Sequence, residues 1–409
     1  MKTKVNIAMT TLIALTCTGY AESGVELLQG ILAQTNHTLI PMLDVRARYE
    51  FGEQEGKDSS HATTLRARAG LQSQDYNGFS GLVEFEATRA KDSEAYRAAN
   101  VHGPTSDTVI ADPESTELNR AQLQFKRNGN LFIAGRQRII LDNARFIGNV
   151  GWRQNEQTFD AATYKNTSID NLSLFYGYIN DVQRIFGSDA PSGTGTDDFE
   201  SDSHLINAAY TLAEGHKLTA YAYLLDFDNS AANSSDTLGL NYTFKGKITD
   251  GYTLKGYAEF AYQDDGGDNP TDYEALYYHL NGSIIRDGYS ATLGYEVLGS
   301  DEGIASFRTP LATAHKFNGW NDQFLSTPTS GLQDAYIGIA LPVPKYPVQL
   351  IYHYFTADDD SSFYGQEIDA VIAHKLSPKT KAIAKASYYD ANGYNVDCTR
   401  FSLELNYKY

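Results

Sequence analysis

"TRFSLELNYKY", residues 399–409, alternates without a break: Phe401, Leu403, Leu405, Tyr407 and Tyr409 share one parity, and Arg400, Ser402, Glu404, Asn406 and Lys408 the other. Successive side chains of an extended chain point to opposite faces, so this segment reads as a strand that is apolar on one side and polar on the other. The same period of two recurs in runs of about ten residues. Examples are "AQLQFK" (121–126), "LSLFYGY" (172–178), "KLTAYAYLLDF" (217–227), "TLGLNYTFKG" (237–246) and "YTLKGYAEFAYQ" (252–263). Helical spacing fits few of these segments.

The connectors alternate as well. Short turn signals ("AEGHK", "KGKITDG", "RDG", "SPKT") follow one strand end, and long acidic or Gly/Ser-rich stretches at 181–201, 228–236, 264–272 and 300–333 follow the other. Tight turns on one rim and long loops on the other are the pattern of a transmembrane antiparallel β-barrel with short periplasmic turns and long extracellular loops. Counting strands from Leu43 to Tyr409 gives about eighteen, at about 9–11 residues per strand. Tyr49, Tyr178, Tyr210, Tyr242, Tyr252, Tyr289 and Tyr407 fall near strand ends, where an aromatic girdle belongs. A soluble β-sandwich or solenoid is the competing architecture, but the segments exceed its usual strand length and no short repeat is evident.

Residues 1–21 read as a secretory signal: Lys2 and Lys4, the apolar "IAMTTLIALT", then small residues before Glu22. Residues 22–42 form an N-terminal periplasmic segment. Within it "GVELLQGILAQ" (24–34) spaces Val25, Leu28, Ile31 and Leu32 as a short helix would, or serves as an unstructured leader. Residues 43–409 form the barrel. After the signal no apolar run reaches the about 18–20 residues of a spanning helix. Only Cys398 remains beyond it, so no intramolecular disulfide forms. The formal charge of −18 excludes nucleic acid as a partner, and the expected location is the outer membrane of a Gram-negative bacterium, among its lipids.

On such strands the apolar face meets lipid and the polar face lines the lumen. In "LDVRARYEFG" (43–52) the lumenal set is Asp44, Arg46, Arg48 and Glu50, and "TLRARAGLQ" repeats the device with Arg66 and Arg68. Arg120 continues it, and "FIAGRQRII" is read as presenting Arg136 and Arg138 on one face. Twelve of the sixteen arginines lie between positions 46 and 153, so one sector of the wall is arginine-rich. Guanidinium is always charged and offers a planar fork of donors suited to carboxylate, so a ladder of such groups can pass an anion from rung to rung. The bland reading is that lumenal acids such as Asp44, Glu50, Glu84 and Glu86 pair with these arginines and stiffen the wall. The clustered acids at 195–203, 263–268 and 356–362 fall in predicted loops, so an acidic rim can surround a basic lumen despite the negative net charge.

No HExxH, G-x-S-x-G or P-loop pattern occurs, and the nine histidines show no metal-ligand spacing. Neither an enzymatic activity nor a cofactor or metal is expected.

Two stretches, "GRQRIILDNARFIGNVGWRQNEQTFDA" (135–161) and "FRTPLATAHKFNGWNDQFLSTPTSGLQD" (307–334), resemble signature segments of the bacterial alginate-export family of outer-membrane porins. The resemblance implies a monomeric eighteen-stranded barrel with an arginine-lined constriction through which a polyuronate diffuses out, with room for periplasmic export partners. Carried onto this chain, it points to Arg46, Arg48, Arg66, Arg68, Arg136, Arg138, Arg145 and Arg153, with Asn155, Glu156 and Asp160 shaping the same region. The leading functional expectation is a passive channel for an anionic, uronate-containing saccharide. Its rivals are an uptake porin for small organic acids or sugars and, in a different class, an adhesin or enzyme built on a plugged barrel.

Overall fold

The computed structural model describes residues 39–191, 196–249, 251–343 and 346–409. The expected signal and most of the N-terminal segment lie outside the described residues. Eighteen strands form one antiparallel sheet, each hydrogen-bonded to its neighbours in chain order. The sheet closes when the last strand, Cys398–Lys408, pairs with the first, Leu39–Gln54, from Asp44↔Lys408 to Gln54↔Cys398. The first strand thus begins four residues before the expected boundary at 43. Closure leaves no edge with unpaired N–H and C=O groups, which is the condition for β-structure to sit in hydrocarbon.

Parity sorts the side chains as the alternation requires. In the last strand Leu403 and Leu405 are nearly half exposed on the outer face, whereas Ser402 and Glu404 are buried within the lumen. The outer face carries Leu123, Leu238, Leu280, Leu293 and Ile368, all more than half exposed. A large aliphatic side chain left in water forgoes about 1.5–3 kcal/mol of burial, so a continuous band of them is stable only against lipid. The seven tyrosines of the expected girdle all fall on this outward parity.

The short turns follow their sequence signals. Asn77–Gly78, Asn128–Gly129 and Asp287–Gly288 each place two successive residues at positive φ, the type I′ geometry that suits the twist of two-residue hairpins. The opposite rim carries the long loops, and three of them turn inward. The loop 91–114 follows the third strand (Phe79–Ala90), and the loop 138–157 links the fifth (Asn130–Gln137) and sixth (Thr158–Asn166). The third, 299–331, contains a two-residue ladder (Ser300–Asp301 with Ala305–Ser306) and one 3-10 turn at Ala314–Lys316.

The apolar core lies inside the barrel. Phe146 of the second inward loop packs on the lumenal Tyr221 and Tyr277 and on Phe307 of the third, with ring centroids 5.2–5.7 Å apart. Farther round, Phe324 packs on Phe355 at 4.6 Å and on Tyr394 at 5.2 Å. Aromatics therefore occupy both faces of these strands: outside to meet lipid, inside to seat the loops.

The lipid assignment is open to direct test. Leu293→Arg, near the middle of its strand, should destabilise the folded barrel in vesicles by about 2–4 kcal/mol, while Thr292→Arg, one residue away on the lumenal parity, should cost far less. Equal costs in urea titrations would contradict the assignment of faces.

Candidate functional site: an ion-paired lumenal constriction

Arg46 and Arg48 project from the first strand into the lumen and grip the second inward loop by its backbone. Arg46 donates to the carbonyls of Gly151, Trp152 and Arg153 at 3.0–3.1 Å and to Asn406 Oδ1 at 2.8 Å. Arg48 is fully buried: it donates to Asp112 Oδ2 at 2.9 Å and Glu404 Oε1 at 3.1 Å and to the Trp152 carbonyl, and its guanidinium lies 4.1 Å over the Trp152 ring. Arg46 stands directly across from Arg66, and Asp44 across from Arg68. Arg66 pairs with Asp44, and Arg68 pairs with Glu86 and, at 3.3 Å, with Glu156. The paired lumenal arginines of the first two strands are all held by carboxylates.

Arg153 joins the parts. It reaches Glu50 on the wall at 3.2 Å, Asp322 of the third loop at 2.7 Å, and lies 4.0 Å from Asp112 of the first. Asp112 also accepts from the Gln154 backbone at 2.8 Å. Arg400 adds a second joint, donating to the carbonyls of Asn321 at 3.1 Å and Val109 at 3.0 Å and lying 3.4 Å from Glu50. Arg145 plays the same part on the far side, paired with Glu296 at 2.7 Å and hydrogen-bonded to Asn318 at 3.0 Å. The second and third inward loops also touch backbone to backbone, Gly148 N to Leu311 O at 2.8 Å and Thr313 N to Ala144 O at 3.0 Å. A Cβ at position 148 would lie 2.3 Å from Thr313 Oγ1, so this approach needs glycine.

Glu156 gathers more donors than any other loop acid. Arg138 Nε donates at 2.7 Å, Asn149 at 2.6 Å and Asn119 at 2.8 Å, with Arg68 close by. Burial disfavours its charge, but Arg68 and Arg138 outweigh that and hold the carboxyl at about 2. Asp112 is likewise kept below the usual carboxylate range, burial being overcome by Arg48 and Arg153. Asn155 is buried in the same turn, beside Gly187. Arg120 sits on Glu84 with two contacts of 2.8 Å.

The expected pairing of Arg136 with Arg138 on one face is corrected by the register. Arg136 stands opposite Asp160, between the lumenal pairs Gln137↔Phe159 and Gly135↔Ala161, and so lies on the outer face with Asp160 at 2.7 Å. The strand ends at Gln137, freeing Arg138 to turn into the lumen toward Glu156. Asp160 likewise leaves the lumenal set.

Sequence reading also passed over a stack at the tip of the constriction. The chain's only two tryptophans, Trp152 and Trp320, lie on the inward loops, and Lys385 of the wall places its ammonium 3.7 Å and 4.6 Å from their ring centroids. His315 lies parallel to Trp152 at 4.2 Å. Its Nδ1–H faces Asp322 Oδ1 at 2.7 Å, and its Nε2 accepts from Lys385 at 3.2 Å, which requires a neutral ring. Burial, with Lys385 adding to it and Asp322 opposing, pushes this imidazole down to about 3. No sequence motif marks these contacts, although two tryptophans in predicted loops rather than in a girdle were a visible oddity.

No family model and no curated protein matches the chain. Solved structures do. OccAB4 of Acinetobacter baumannii is 13% identical, covering 90% of this chain and 97% of its own, with a TM-score of 0.72. OccK9 (OpdG) of Pseudomonas aeruginosa is 15% identical over 90% and 98%, with a TM-score of 0.71. OpdK of P. aeruginosa, solved with vanillate, is 13% identical over 90% and 98%, with a TM-score of 0.67. These are substrate-specific outer-membrane porins, transport channels rather than enzymes, and what they share with this chain is the fold of an eighteen-stranded barrel of the Gram-negative outer membrane. They give no support to the resemblance to alginate exporters.

Two outcomes follow from the geometry. Arg153→Ala leaves Asp322 with His315 alone and Glu50 with the more distant Arg400 and Arg48, a loss of up to about 3–5 kcal/mol at the loop junction. It should speed hydrogen exchange across residues 311–322 and raise channel conductance, with the barrel still assembled. Acid should act in the same direction. A detached His315 takes up a proton below 6.5, whereas the packed one resists until about 3, so packing weakens as pH falls through that window. Glu156 adds to this between 4.5 and about 2. Exchange in 311–322, corrected for intrinsic rates, should be faster at pH 4.5 than at pH 7.5, and His315→Gln should shrink the difference.

Proposed function

We propose that the chain is an outer-membrane uptake channel through which small organic anions diffuse passively. The observation that carries this reading is the constriction itself: two long loops lie across the lumen, tied to the wall by Arg46, Arg48, Arg145 and Arg153 and to each other through backbone hydrogen bonds. A gate anchored by buried ion pairs suits a small solute and disfavours a thick polysaccharide, for which the whole loop assembly would have to withdraw. A uronate-containing polymer is therefore the less favoured cargo, and small organic acids the more favoured one. One structural neighbour, solved with vanillate, holds a small carboxylate, which is consistent with that choice.

Selectivity on this reading falls to the guanidinium groups that remain partly open to the lumen. Arg138 is the most open of them, with 29% of its side chain exposed, followed by Arg120 and Arg46. Arg138 can be lent to a passing carboxylate cheaply. Its partner Glu156 keeps Arg68, Asn119 and Asn149 when Arg138 turns away, so no buried charge is left alone. Arg48, buried between Asp112 and Glu404, has no such freedom and acts as a brace.

In planar bilayers under a KCl gradient the channel should show an anion-preferring reversal potential. Arg120→Gln with Arg138→Gln should reduce that preference about two- to fivefold while heat-modifiable migration in gels stays normal. Uptake into vesicles from a panel of benzoate, succinate and oligouronates should favour the small acids. A cation-preferring wild-type channel would end the proposal.

A further inference from the structure

Halfway round the ring from the arginine sector, close to the short-turn rim, the lumenal wall carries three lysines with a single carboxylate, Asp142, within 4.0 Å of them among the described residues. Lys245 and Lys255 are direct cross-strand partners, Lys217 pairs across with Thr243, and Lys255 with Ser283. Together with Asn281 they line a cavity of about 510 Å³. The carboxylate nearest Lys217 is Asp142, at 3.7 Å, and neither Lys245 nor Lys255 has one within 4.0 Å among the described residues. Like charges set directly opposite each other destabilise a sheet, and this barrel does so twice near the same rim, again at Lys375↔Lys381. Elsewhere in the lumen the cations of the constriction are neutralised nearly one for one. The contrast is what calls for a ligand.

We propose that the Lys217–Lys245–Lys255 cavity is a second anion site, selective for compact solutes bearing two or more negative charges, such as phosphate-bearing or polycarboxylate molecules. Lysine is a strongly hydrated point charge on a flexible stem, and three of them converging on one cavity match a multivalent head better than a single carboxylate. The Ser283 hydroxyl, shared with Thr292 at 2.8 Å, and the Asn281 amide, 3.3 Å from His279 Nε2, place neutral polar groups beside them. A monoanion released from the constriction meets no fixed geometry here and passes, whereas a dianion is held by several ammonium groups at once. The site thus divides organic anions by charge after the constriction has divided them by size.

The test uses the full barrel in planar bilayers, with inorganic phosphate at pH 8 added on the short-turn side and benzoate as the monoanion control. Phosphate should block current in a concentration-dependent way and benzoate should not. Lys245→Gln with Lys255→Gln should weaken the block about tenfold, and Lys245→Arg with Lys255→Arg should retain it. If the double glutamine variant does not assemble, judged by heat-modifiable migration, Lys255→Gln alone carries the comparison. An equal block in wild type and variant, or none in wild type, overturns the site. The inference rests on reading the barrel as an open anion channel, and the two fail separately: a cation-preferring reversal potential defeats the channel reading, whereas anion preference without phosphate block defeats only the lysine site.

Discussion

The structure depends on one constraint: a charge taken out of water inside the lumen must meet its opposite. Arg48 and Arg153 are fully buried, and around them Glu50, Asp112, Asp322 and Glu404 come from the first strand, two different loops and the last strand. That one cluster therefore lies at the seam where the barrel closes and at the joint where the loops enter. Such a network adds little net stability over an apolar core, because each ion loses its hydration on burial. What it does provide is intolerance of partial assembly. Removing any member exposes the others to the full desolvation penalty, so the loops are either seated or released.

The barrel was legible in the sequence because lipid outside and water inside impose a period of two on every strand. "TRFSLELNYKY" closes the sheet in the register its alternation demands, and the Asn-Gly and Asp-Gly pairs make the hairpins they signal. The lumenal arginines of the first two strands were legible for the same reason. Their partners were not. Arg48 meets Glu404 across 356 positions and Arg153 meets Asp322 across 169, separations at which no local pattern connects the residues. The loop 91–114, which supplies Asp112, has no period at all.

The error at Arg136 has a local cause. Phe132 and Ile133 are both apolar, so the run does not announce which parity meets lipid; the register sets Arg136 outside with Phe132, and because the strand stops at Gln137 that parity no longer binds Arg138. A different limit hid the aromatic interior. Tyr221, Tyr223 and Tyr277 sit on the lumenal parity that the two-face rule reserves for polar groups, because here the lumen is filled by Phe146 and Phe307 and behaves as a protein core. A sequence rule written for a water-filled pore fails where the pore is occupied by its own loops.

Bracing and selectivity, which looked like rival readings of one arginine ladder, are separated in space. Depth decides: Arg48 and Arg145, with negligible exposure, are held by buried carboxylates and cannot leave them without stranding a charge. Arg138 and Arg120 sit at the open edge of carboxylates that are multiply held, Glu156 by Arg68 and two asparagines and Glu84 by Asn119. The asparagines matter here, since an amide can stay on the carboxylate while the arginine leaves, keeping the acid solvated by protein at every moment of an exchange. An arginine sector so arranged can be rigid at its root and labile at its tip, which is what a fixed constriction that must still release its solute requires.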